Sequence, residues 1–102
     1  GEANATLKRD FRLPANTSGK VSSDYYLYTL WKITKYTVTT YTVSIGGTSF
    51  ISREAENTRN EERSYSDSYT GRINGSALLK IESSYTNSGP YVRVKNVSVL
   101  YN

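Results

Sequence analysis

The 102-residue chain contains no cysteine and no histidine. Without cysteine there is no disulfide framework, and no thiolate to act as nucleophile or metal ligand. Without histidine the commonest general base near neutral pH is missing, and so is the commonest metal ligand. Methionine is absent as well, even at the start, where Gly-Glu-Ala-Asn reads as a mature or trimmed beginning with the leading glycine as a remnant. No apolar run approaches the roughly 20 residues that a membrane-spanning helix needs. Leu, Ile, Val and Phe together number only 21, just above the fraction below which chains usually stay disordered.

Tyrosine makes up that shortfall. Ten tyrosines and Trp31 can each bury a large ring while keeping a polar tip in water. A single domain with a thin core is therefore expected over residues 1–102. Between Tyr25 and Ile45 the chain is mostly tyrosine, threonine and branched aliphatics, with no glycine, proline, asparagine or acidic residue. Such residues fit a pleated, half-buried surface and fit a helix poorly. The block reads as β-structure.

Parity divides this block into faces. Tyr25, Leu27, Thr29, Trp31 and Ile33 are expected on the core side, with Tyr26, Tyr28, Leu30, Lys32, Thr34 and Tyr36 opposite. The apolar parity changes between Val38 and the set Tyr41, Val43 and Ile45, which predicts a bulge or break near Thr39-Thr40. A turn around Thr34-Lys35 is also compatible with the pattern. Gly46-Gly47 then closes a tight hairpin into 48–53, because two glycines supply the positive φ that such turns demand.

Further strands are expected over 5–13, 77–85 and 91–101, with turns at 14–19 and 86–90 and a bulge at Lys95-Asn96. Residues 54–72 lack an apolar face and read as a long polar loop, with a short polar helix as the alternative at its start. The predicted fold is all-β: a small antiparallel β-sandwich (jelly-roll or Ig-like) of six to seven strands, or an open barrel.

Few catalytic arrangements are open to this chain. A triad without histidine needs Lys, Asp or Glu as its base, and paired carboxylates must meet across a cleft. Asp10, Asp24, Asp67 and Glu82 are scattered among basic or hydroxyl-rich neighbours, and the glutamates of 54–62 lie in a mixed charge run. Ser66-Asp67-Ser68 lacks the dense acidic pattern of a calcium loop. Neither Gly46-Gly47 nor Gly71 to Gly75 makes a phosphate cradle. No enzyme, cofactor or metal is expected.

Binding is the better class. Tyr26, Tyr28, Lys32 and Tyr36 would project from one strand face as a tyrosine-lysine stripe, flat rings for sugar faces and ammonium groups for acidic partners. The plainer alternative is that tyrosine simply suits the solvent face of a strand. The net charge of +4, with the 53–63 segment contributing −1 and the remainder +5, favours contact with polyanions such as cell-wall polymers, anionic lipid surfaces or nucleic acid, and the plainer alternative is a soluble basic surface. Residues 90–101, PYVRVKNVSVLY, resemble the closing strand of jelly-roll carbohydrate-binding modules, in which an xVxNVxV pattern is common. That resemblance covers a dozen residues and implies a sugar ligand. The calcium ligands that such modules often carry have no counterpart here.

The sequence thus predicts a non-catalytic, extracytoplasmic binding or surface-interaction module, secreted or on the surface of a bacterial cell. Its expected partner is a polysaccharide or another anionic cell-envelope polymer, not nucleic acid. The alternative is a small secreted effector or toxin-like protein that acts on membranes or on a protein, suggested by the Ser/Thr-apolar alternation of 36–51 around Gly46-Gly47.

Overall fold

The computed structural model describes residues 4–10, 17–34, 38–73, 78–84 and 91–101. These residues form an all-β structure with no helix. The strands are β1 (Asn4–Asp10), β2 (Thr17–Thr29), β3 (Thr40–Ile45), β4 (Thr48–Glu54), β5 (Glu61–Ile73), β6 (Leu78–Ser84) and β7 (Val92–Tyr101). They make two sheets, ordered β1-β6-β3-β4 and β5-β2-β7, and every strand pairing is antiparallel.

Both sheets feed one core. β2 contributes Val21, Tyr25 and Leu27; β3 contributes Tyr41, Val43 and Ile45; Phe50, Ile51 and Ile73 complete most of it. The alternation read from the sequence accounts for β2 and β3, whose odd-numbered residues are buried. Phe50 and Ile51 break alternation because the β3–β4 register shifts after Val43, so two consecutive β4 side chains turn inward. The Phe50 ring lies over Gly71, where a Cβ would come within 3.1 Å of it. Glycine at that point lets the ring approach the backbone of the other sheet. Gly46 and Gly47 have φ of 57° and 81°, and they join β3 to β4 as the expected tight hairpin.

Several expectations need correction. Trp31 is not in the core; it is 64% exposed. β2 ends at Thr29 and the chain bends at 31–32, so strand parity does not extend past Thr29. The Trp31 amide donates to Asn60 Oδ1 and the Ile33 amide to Asn57 Oδ1, so two asparagines of the β4–β5 connection hold the chain as it leaves β2. The segment 17–19, read as turn chemistry, is instead the start of β2, with Thr17 and Val21 buried on the core side. Across 54–72, read as a polar loop, most residues belong to β5. Its inward parity carries Glu61, Arg63 and Asp67, which find partners in place of apolar burial. Arg63 bonds Glu61 and Glu56, each at 2.6 Å, and Arg53 reaches Asp67 at 2.8 Å. An apolar-only pattern cannot register such a strand. The expected turn at 86–90 and the position of Tyr36 lie outside the described residues.

Asp67 anchors a polar knot between the sheets. Its carboxylate accepts from the Tyr25 hydroxyl and from Arg53 Nε and Nη2, and the guanidinium stands 4.3 Å from the centre of the Tyr65 ring. Hydrogen bonds from Arg53, and then from Tyr25, hold the Asp67 carboxyl below its ordinary 3.8. Burial, and then the bond to Asp67, raises the Tyr25 hydroxyl above its ordinary 10.0, and burial raises Tyr41 likewise. The signs predict a plateau with two limbs. Below about pH 4 the unfolded chain binds the Asp67 proton first, so stability falls with falling pH. Above about pH 10 the unfolded tyrosines ionise while Tyr25 and Tyr41 keep their protons, so stability falls with rising pH. Urea midpoints measured across pH 3 to 11 should trace that plateau, and a Tyr25→Phe variant should soften the alkaline limb.

Candidate functional site

The outward face of β5-β2-β7 gathers tyrosines, cations, carboxylates and hydroxyls on one surface. Even-numbered residues of β2 point there because the odd-numbered ones are committed to the core. From β2 come Lys20, Ser22, Asp24, Tyr26 and Tyr28. β5 sets Ser68, Ser66, Ser64 and Glu62 beside them, and β7 sets Ser98, Asn96 and Arg93 on the other side.

The bulge expected at Lys95-Asn96 is present. Asp24 pairs with Asn96 and Tyr25 with Val94, which leaves Lys95 as the extra residue. Side chains hold it in place. Ser23 Oγ donates to the Asn96 carbonyl at 2.8 Å, and Asn96 Nδ2 donates to Asp24 at 2.9 Å. Asp24 also accepts from Ser66 Oγ at 2.5 Å. These hydrogen bonds, Ser66 first, hold the Asp24 carboxyl below its ordinary range.

One end of the face is hydroxyl-rich and the other aromatic and charged. Arg93 sits over the Tyr26 ring with its guanidinium carbon 4.0 Å from the centroid, and Lys95 Nζ lies 5.7 Å from the same ring. The Tyr28 and Tyr91 rings are 5.2 Å apart and tilted. Glu62 joins the two pairs, accepting from Arg93 Nη2 at 2.8 Å and from the Tyr91 hydroxyl at 2.6 Å. Those bonds, Arg93 first, hold Glu62 below its ordinary range and raise the Tyr91 hydroxyl. Lys20, Lys32 and Lys95 are exposed and make no ion pair among the described residues.

The four residues expected to form one stripe fare differently. Tyr26 and Tyr28 lie half-buried on the outward face, as parity predicts. Lys32 lies three residues beyond the end of β2, so it is near that face's end and not in its pleat. Tyr36 falls outside the described residues. Tyr91, Arg93, Lys95 and Glu62 were not anticipated. Alternation of Tyr91, Arg93 and Lys95 with Val92 and Val94 marks them as outward residues, but nothing in one sequence says which strand lies beside them. No cluster of three or more His, Cys, Asp or Glu residues suited to a metal occurs among the described residues.

Chemically this surface offers flat rings, exposed ammonium groups and a fence of hydroxyls. One face of Tyr26 is already covered by Arg93, so an incoming ring or sugar meets Tyr28, Tyr91 and the edge of Tyr26 first. Comparison with protein families, with curated proteins and with solved structures found no match to this chain.

Proposed function

We propose that this chain is a non-catalytic, extracytoplasmic binding module, a small β-sandwich that holds an extended anionic polysaccharide or similar cell-envelope polymer along the outward face of β5-β2-β7. The observation that supports the reading is the series of exposed lysines, none of them in an ion pair among the described residues, on or at the end of the face that carries the tyrosines. Lys20 stands at one end of β2, Lys95 at the bulge and Lys32 just past the other end, with Tyr26, Tyr28 and Tyr91 between. Thirteen residues of strand run to about 40 Å, a length suited to a polymer and not to a single sugar. Repeated negative charge on the ligand would meet the lysines while its flat faces rest on tyrosine rings. The Arg93–Glu62 pair lies within the site and keeps Tyr91 and Tyr26 oriented.

Titration with polygalacturonate and alginate beside neutral dextran, followed by calorimetry at low salt, tests the reading. The uronic-acid polymers should bind and dextran should not. Lys20→Ala with Lys95→Ala should weaken binding at least about tenfold, roughly 1.4 kcal/mol, and raised salt should weaken it further. Tyr28→Ala should weaken it at low and high salt alike, because stacking is not screened. Binding that ignores these substitutions would sink the proposal. Dye release from anionic vesicles, abolished by Trp31→Ala, would instead favour the membrane-active alternative. The 36–51 hairpin on which that alternative first rested has Tyr41, Val43, Ile45, Phe50 and Ile51 committed to the core.

A further inference from the structure

Among the described residues the two sheets end in four edge strands: β1, β4, β5 and β7. An edge strand exposes unpaired backbone donors and acceptors, and proteins guard such edges with charge, bulges or short length. Three edges here are guarded. β1 and β4 are only seven residues long, β4 ends in Arg53-Glu54, and β5 carries Glu61, Arg63 and Arg72. β7 is guarded over its first half only, by Arg93, Lys95 and the bulge.

Past the bulge, Asn96-Val-Ser-Val-Leu-Tyr101 has no charge, no proline and no glycine, and its residues favour strands. Among the described residues its one strand neighbour is β2. Leu100 is 62% and Tyr101 54% exposed there. Val97 and Val99 are only partly buried, although both point to the core side. Apolar side chains and an open backbone edge thus coincide on one short segment.

The geometry points to a second copy of this chain as the occupant of that edge, joined by antiparallel β7–β7 pairing about a two-fold axis near Val99. Self-complementarity is what selects a second copy. With Val99 opposite its counterpart, Val97 meets the partner's Tyr101 on the inner side and Ser98 meets the partner's Leu100 on the outer side, so no like charges are opposed. A registry centred before the bulge would set inner residues against outer ones and bring in Arg93 and Lys95. The pairing continues β5-β2-β7 into a six-stranded sheet and places both outward faces on the same side. Two copies of the proposed polymer site would then lie on one surface, but the dimer itself does not depend on that ligand.

Sedimentation equilibrium of the unaltered chain, from micromolar to millimolar concentration and without any polymer, tests the inference. A monomer–dimer equilibrium is expected. Ser98→Glu with Leu100→Glu sets carboxylates directly opposite each other across the axis, and Ser98→Lys with Leu100→Lys does the same with ammonium groups. Both sites are exposed, so circular dichroism should show intact folds. Each double variant should self-associate at least about tenfold more weakly, and an equimolar mixture of the two should dimerise again. Amide exchange at 97–101 in the unaltered chain should also slow as concentration rises, a readout that needs no variant. A chain that stays monomeric at millimolar concentration, a dimer indifferent to both variants, a mixture that stays monomeric, or growth into filaments would each overturn the pairing.

Discussion

Replacing Asp67 by alanine is expected to lower the unfolding free energy by about 2–4 kcal/mol, measured by urea denaturation near pH 7. The Asp67 side chain is 9% exposed and accepts from both Tyr25 and Arg53. Its removal strands a buried phenol and a half-buried guanidinium at the point where the two sheets meet. Arg53 is about one-third exposed and can recover some hydration, which keeps the expected loss below that of a fully buried pair. Asp67→Asn should cost less, because an amide oxygen can still accept one of these bonds. In Asp67→Ala the acid limb of the stability profile should flatten, since the carboxyl that loses its proton early in the folded state is gone. A loss under about 0.5 kcal/mol, within the range of ordinary surface substitutions, would show that the knot contributes nothing.

Leu27→Ala should cost about 3 kcal/mol, whereas Tyr28→Ala, one residue along, should stay within about 1 kcal/mol. Leu27 is fully buried in the shared core, so truncation leaves a cavity that β-sheet neighbours cannot easily close. Tyr28 loses a larger side chain, but from the outward face, where its contact is the Tyr91 ring. Thermal melts should separate the two variants by roughly 10 °C or more for a domain of this size. Equal melting temperatures would mean that strand parity in β2 is not what the structure has.

Much of β2 was legible because alternation and strand-forming residues agree there. The Leu27 side and the Tyr26–Tyr28 side follow from period two alone, and the Gly46-Gly47 turn follows from glycine chemistry. The Lys95 bulge was visible as a change of apolar parity between Val94 and Val97. Period-two parity places Trp31 on the core side only if the strand continues, and β2 stops at Thr29. Past Thr29 the chain is held instead by two asparagine side chains of the 55–60 connection, 24 and 29 residues away in sequence.

The candidate site was half legible for a similar reason. Tyr26 and Tyr28 were assigned to the outward face from their own strand. Glu62, Tyr91 and Arg93 joined them only when β5 and β7 took their places on either side of β2. β5 itself was hidden, since its inward positions carry charges satisfied by Arg53, Glu56 and each other in place of apolar burial.

The β character, the placement of Tyr25 on the core side, the central hairpin and the lack of thiol and imidazole chemistry are already present in the order of the residues. These depend on residue type and short-range periodicity, which one chain displays in full. Where β2 stops, that β5 is a strand, and which cations lie along Tyr26 come from the packing of the strands. Each of those is a pairing between distant segments, and the energy of a pair belongs to neither residue alone.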